Sequence, residues 1–293
     1  MHSTTLKLRA GPFSVALTTD VFEVVRGVRL LYPPSLLVEN GEFVDFQIAV
    51  RRSKGARRWV RPQAIFEFDQ QQPFKPLPLD QALPMFEWGL NYVIAGTAHW
   101  YLIVHGAAVE KNGAVAILPG TPGSGKSTLA AGLAHRGWRL LSDELALIRP
   151  EDGAVAPLAR PISLKNESID LMRGFAPDGV FSPVVNDTVK GAVALMRAPA
   201  ESVERIAETA PPRWIIFPLW QPEGEARLHA ISRGEAVMAV SRNSVNYGIL
   251  GASGFKLLAD VVERCDCFRF TYHSLDQAIG VFDALAAKRL AAG

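Results

Sequence analysis

The sequence predicts an α/β fold in two parts, and three observations predict it. A strand, a glycine-rich loop, a helix and a further strand follow one another between Ala114 and Leu141. The first third of the chain instead reads as short apolar runs broken by Gly, Pro and Asn. The composition, 48% hydrophobic against 20% charged, can fill a sizeable core and argues against disorder over the whole length. The expected division is a smaller, mostly β N-terminal region over residues 1–95, suited to docking a substrate or partner, and an α/β domain over residues 96–293.

Taken in order, Leu6 to Leu8, Ser14 to Leu17, Val21 to Val25, Phe43 to Val50 and Trp59 to Phe68 are expected strands. Gln70-Gln71-Gln72-Pro73 and Pro76-Leu77-Pro78 then break the pattern. Between Asp80 and Thr97, the residues Leu83, Phe86, Leu90, Tyr92, Val93 and Ile94 suit a helix. Tyr101 to Glu110 reads as a strand and Ala114 to Leu118 as its returning partner. The Asn112-Gly113 pair between them favours a two-residue hairpin turn, because both residues tolerate positive φ. Ser127 to His135 is a short helix with Leu129 and Leu133 on one face, and Gly137 fits just past its end. Arg139 to Leu141 opens the next strand. Further on, Trp214 to Leu219 and Phe268 to Tyr272 are strands, and Phe255 to Glu263 and Leu275 to Ala291 are helices.

Charge excludes some function classes. The chain carries 31 basic and 29 acidic side chains, a net charge of +2, which gives no electrostatic argument for nucleic acid or an anionic membrane as partner. Arg51, Arg52, Lys54, Arg57, Arg58 and Arg61 form a local basic cluster, read as a solvated loop, with a patch for an acidic partner as the alternative. Cys265 and Cys267 have no second pair at a zinc spacing and read as reduced thiols in a strand of a cytoplasmic protein. No apolar run follows Lys7 and Arg9 to act as a leader. Tyr92 to Val109 lacks Asp, Glu, Lys and Arg, but His99 and His105 would be costly in lipid, so it reads as a helix end followed by a buried strand.

Gly120-Thr121-Pro122-Gly123-Ser124-Gly125-Lys126-Ser127, followed by Thr128, matches G-x-x-x-x-G-K-[ST]. Glycines let the backbone wrap a phosphate where a Cβ would collide. The exposed N–H groups and the helix N-terminus that follows form an anion nest. Lys126 is expected to reach the β- and γ-phosphates and Ser127 to offer its hydroxyl to Mg²⁺. The motif implies a nucleotide, with ATP and Mg²⁺ as the expected cofactors, and by itself does not choose between a kinase and an ATPase.

Asp143 ends the strand after the helix, where it could hold Mg²⁺ or accept a proton from an attacking hydroxyl. Glu144 is next to it and can share either task, though adjacent residues of an extended segment point to opposite sides. The two-residue turn also fixes a register: Lys111 faces Ala114, which sets His105 opposite Gly120 at the mouth of the loop. There it could contact the γ-phosphate or assist proton transfer. Extra positive charge near that phosphate could come from Lys165, after the apolar run Ile162 to Leu164, or from Arg242. Trp214, Trp220 and Tyr247 could stack on adenine, with core packing as their default reading.

These residues together resemble the HPr kinase/phosphorylase superfamily, and within it the HPr kinase-related kinases. The likeness lies in His105-Gly106, in the loop Gly120 to Ser127, and in Arg136-Gly137-Trp138-Arg139-Leu140-Leu141-Ser142-Asp143-Glu144. It covers about forty residues. It implies a P-loop domain related in fold to phosphoenolpyruvate carboxykinase and an ATP-dependent serine kinase activity. Asp143 takes the position of the first family acid and Glu144 that of the second. Glu144 in place of Asp, and Thr128 after Ser127 in place of an acidic residue, point to an acceptor other than HPr. The expected acceptor is a Ser hydroxyl of a small protein or precursor peptide. A small-molecule kinase and a nucleotide-responsive binding module with little transfer activity are the alternatives. Relatives form ring-like oligomers, which leaves a homo-oligomer open for this chain.

Overall fold

The computed structural model describes residues 3–37, 43–55, 60–121 and 123–292, with side chains described to residue 288. Trp59, Arg57, Arg58 and Pro122 lie outside the described residues. The chain forms two compact units, residues 1–94 with 160–198, and residues 95–159 with 199–293.

The N-terminal stretch starts with the hairpin β1 (Thr4–Ala10) and β2 (Phe13–Thr19). The expected strand at Val21 to Val25 is instead the start of helix α1 (Phe22–Leu31). Val24, Val28 and Leu31 recur at helical spacing and are buried, whereas a strand would alternate. The reason is also topological: β2 pairs in parallel with β3 (Phe46–Arg52), and a parallel pair needs a crossover, usually helical. Then β4 (Gln63–Phe68) and β5 (Leu77–Pro78) complete a five-stranded sheet in the order β1-β2-β3-β4-β5. In the basic cluster, Arg51 pairs with Glu67 at 3.5 Å and Arg52 with Glu23 at 3.8 Å. Helix α2 (Ala82–Thr97) follows.

The second unit opens with β6 (Leu102–Lys111), β7 (Ala114–Pro119), α3 (Lys126–Ala134), β8 (Arg139–Ser142), β9 (Leu145–Ile148) and β10 (Val155–Ala156). Among the described residues no helix is long and apolar enough to cross a membrane; the uncharged run Tyr92 to Val109 is the end of α2 and most of β6.

The chain then returns to the first unit, which corrects the expectation that everything after residue 95 belongs to one domain. β11 (Ile162–Lys165), α4 (Glu167–Phe175), β12 (Val185–Thr188) and β13 (Gly191–Met196) form their own three-stranded sheet, β11-β13-β12. Long-range bonds hold this segment in that unit: Gln81 Nε2 donates to the Asp187 carbonyl at 3.2 Å and Arg197 Nε to that of Leu30 at 2.8 Å.

The last part completes the second unit with α5 (Ala200–Glu204), β14 (Pro212–Trp220), β15 (Arg227–Ala230), α6 (Arg233–Asn243), α7 (Tyr247–Glu263), β16 (Asp266–Tyr272) and α8 (Leu275–Ala292). Its main sheet runs β10-β9-β6-β7-β14-β16-β15, with β8 also paired to β6. β7, β14 and β16 are parallel neighbours, so their carboxyl ends lie at one edge of the sheet. The core of this unit includes Val104, Val115, Ile117, Ile215, Leu258 and Val262. Cys265 and Cys267 are both free and buried, and only Cys267 lies within β16.

Candidate functional site

The site is built around β6, because two elements meet it at one level from opposite sides. On one side the hairpin register is the one the turn requires. Asn112 and Gly113 both have positive φ (55° and 71°), and the pairs run from Lys111 opposite Ala114 to Gly106 opposite Pro119. His105 and Gly120 are the next residues along, just beyond the ladder. On the other side β8 and β9 are one interrupted strand against β6. Ala108 faces Ser142 and His105 faces Leu145, so Asp143 and Glu144 fall in the break, beside Ala107 and Gly106. The Gly106 N–H donates to the Glu144 carbonyl at 3.0 Å.

Gly106 is therefore flanked by Pro119 and by Glu144, each about one strand spacing (~4.8 Å) away. A Cβ built on Gly106 would come within 2.7 Å of the Leu118 carbonyl oxygen and 2.9 Å of the Pro119 Cα. No side chain larger than hydrogen allows this approach. A register shift between Ala108 and Val109 inserts Leu141 as an extra residue in β8. Such a bulge re-aims the residues after it, here those leading into Asp143.

The loop itself is shaped for an anion. Gly123 and Gly125 adopt φ of 86° and 89°, and Gly125 leads directly into α3. Ser124 is 6% exposed, and among the described residues its Oγ has no hydrogen-bond partner. A buried hydroxyl of this kind is costly unless a ligand or water satisfies it. The Lys126 ammonium folds across the loop and donates to the Gly120 and Thr121 carbonyls at 2.8 and 3.1 Å. Ser127 and Thr128, in the first turn of α3, are half-buried, and Thr121 and Gly123 form an exposed rim.

No known protein-family model matches this chain. Nor does any curated protein match it closely enough to count as a relative. The likeness to HPr kinase-related kinases thus rests on the quoted residues.

Among the acids, Asp143 is buried and Glu144 half-buried. His105 Nδ1 lies 3.8 Å from Glu144 Oε2, so the imidazole and this carboxylate sit side by side at the break in β8–β9. Among the described residues no three His, Cys, Asp or Glu side chains form a self-contained metal cage. The donor set Ser127, Asp143 and Glu144 is all hard oxygen, which fits Mg²⁺ bound jointly with phosphate oxygens and water.

The other expected residues fall on the following elements. Lys165 ends β11 and belongs to the first unit. Arg242 is exposed in the last turn of α6. Trp214 is buried, and Tyr247 packs against the apolar core of the second unit.

Of the two aromatics that brace the loop, sequence reading missed Tyr272 and named Trp220 only as a residue that could stack on adenine. Tyr272, the last residue of β16, donates its hydroxyl to the Gly125 carbonyl at 3.0 Å. Burial pushes the Tyr272 hydroxyl well above its usual range, so it remains a donor. The Trp220 N–H donates to the Ser124 carbonyl at 3.2 Å, and the Gln221 N–H to that of Tyr272 at 2.8 Å. The available signal was the position of both aromatics at strand carboxyl ends, where open α/β sheets bind ligands. Arg139 supports the same region from below. Its Nε donates to Glu110 Oε2 at 2.6 Å, tying β8 to β6.

Proposed function

We propose that this chain is an ATP-dependent phosphotransferase of the HPr kinase-related type, acting in the cytoplasm. The reading is carried by one observation: β6 holds the phosphate loop on one side and the Asp143–Glu144 break on the other, at the same residue, Gly106. A γ-phosphate seated in the loop and a hydroxyl beside the acids would then be neighbours.

In this reaction the loop N–H groups and Lys126 hold the phosphates, with Lys126 leaving the Gly120 and Thr121 carbonyls to do so. Ser127, Asp143 and Glu144 would hold Mg²⁺, which when bound would supply positive charge beside the phosphates. Asp143 orients the acceptor hydroxyl and takes its proton. A bond forms between the acceptor oxygen and the γ-phosphorus, the bond from that phosphorus to the β,γ-bridging oxygen breaks, and ADP leaves. His105, beside Glu144, keeps a second proton-handling group at the acceptor end. The acceptor is a Ser hydroxyl of a small protein or precursor peptide, a class suggested by the resemblance.

The test is transfer from γ-labelled ATP with Mg²⁺ into a lysate of the source organism. A labelled small polypeptide is expected, with Lys126→Ala and Asp143→Asn each lowering the rate roughly 10²–10³-fold. Label on a metabolite would replace the protein acceptor with a small molecule. ATP binding without any labelled species would overturn the kinase reading in favour of a nucleotide-responsive binding module.

A further inference from the structure

We propose that Trp220 is the platform on which the nucleotide base stacks. This rests on the phosphate-loop reading above and extends it to the other end of the ligand.

The sheet order gives the site a direction. The acids lie across β6 from the loop, whereas β14 lies on the opposite side of β7 and β16 lies beyond it. A nucleotide whose γ-phosphate faces the acids has its base directed toward β14 and β16. Trp220 is the last residue of β14. Its Cβ lies against Gly125, so close that a Cβ built on that glycine would sit 3.2 Å from it.

The indole is held yet half bare. Its backbone N–H donates to the Ser124 carbonyl at 3.2 Å, and its Nε1 donates to the His273 carbonyl at 3.1 Å. The second bond draws the ring across the carboxyl ends of β14 and β16. Even so, Trp220 is 48% exposed. A large aromatic fixed at both ends loses little further entropy on binding and offers a π-face to any base. Trp214 is buried, and Tyr247 packs on the core, so neither offers a comparable face. The Ser124 Oγ, which has no hydrogen-bond partner among the described residues, belongs to the residue whose carbonyl Trp220 holds and links this platform to the phosphate cradle.

The experiment is calorimetric titration of the full chain with Mg²⁺-ATP and, separately, with Mg²⁺-tripolyphosphate, which has the phosphates and no base. Trp220→Ala should weaken ATP by roughly tenfold or more and leave tripolyphosphate within about twofold. Trp220→Phe, which keeps an aromatic face but not the Nε1 bond, should recover most of the ATP affinity. Equal losses for both ligands would make Trp220 a prop for the loop and overturn the proposal, as would unchanged ATP binding in Trp220→Ala. A wild-type chain that binds neither ligand would sink the phosphate-loop reading itself, and a wild type that binds tripolyphosphate as tightly as ATP would sink the platform alone.

Discussion

Each compact unit buries an arginine beside a glutamate, and the two pairs are finished differently. In the second unit Arg139 donates through Nε to Glu110 and through Nη1 to the carbonyls of Arg205 and Glu208, at 3.0 and 2.9 Å. The other Glu110 oxygen accepts from the Gly113 N–H at 2.6 Å. In the first unit Glu87 Oε1 accepts from the Tyr32 hydroxyl at 2.7 Å, and Arg160 Nη2 donates to Asn91 Oδ1. Their facing atoms, Glu87 Oε2 and Arg160 Nη1, stand 3.8 Å apart, and among the described residues neither has a hydrogen-bond partner. Burial pushes the Glu87 carboxyl up, more than Arg160 and the Tyr32 hydrogen bond pull it down. Attraction between buried charges offsets desolvation only when the remaining lone pairs and protons are answered. The pair under the candidate site meets that condition, and it also closes the hairpin turn whose register places His105.

The comparison breaks most sharply at Arg139. Arg139→Ala strands the Glu110 carboxylate and two carbonyls, and should cost about 3–5 kcal/mol in urea unfolding. Arg160→Ala should cost less, about 1–3 kcal/mol, because the neighbouring Glu87 carboxyl, already raised, takes up a proton instead of staying charged. A loss at Arg160 equal to that at Arg139 would erase the distinction. The smallest effect is in pH dependence. Folding raises the Glu87 pKa, so the native state holds that proton more tightly than the unfolded chain does. The stability from this group is complete below its ordinary value of 4.5 and is lost as pH rises through the raised folded value. Glu87→Gln should flatten that stretch of the stability profile. An unchanged slope would show that another group sets it.

What the sequence disclosed was local. Asn112-Gly113 dictates its own backbone, and the register from Lys111 to Gly106 follows by counting. The glycine pattern from Gly120 to Lys126 likewise states its own geometry. The reading failed where the decision is made at a distance. Val21 to Val25 is apolar enough for a strand, and it becomes helix because β2 and β3 pair in parallel. The return of residues 160–198 to the first unit depends on strand pairing that no short window contains. Tyr272 braces Gly125 only because β16 lies beside β14 in the sheet. The extra residue Leu141 has no sequence mark, since a bulge is a property of two strands and not of one.

Gly106 sets a gauge for this end of the molecule. The glycine-rich loop and the acid-bearing break stand on either side of one backbone, two strand spacings (~9.6 Å) apart, and the residue between them has no room for a side chain. On the proposed phosphotransferase reading, changes of acceptor during divergence, or in a redesign, would therefore leave this spacing alone. They would act through the side chains and loops around the break, exchanging what is presented to the reaction while the reach of the transfer stays the same.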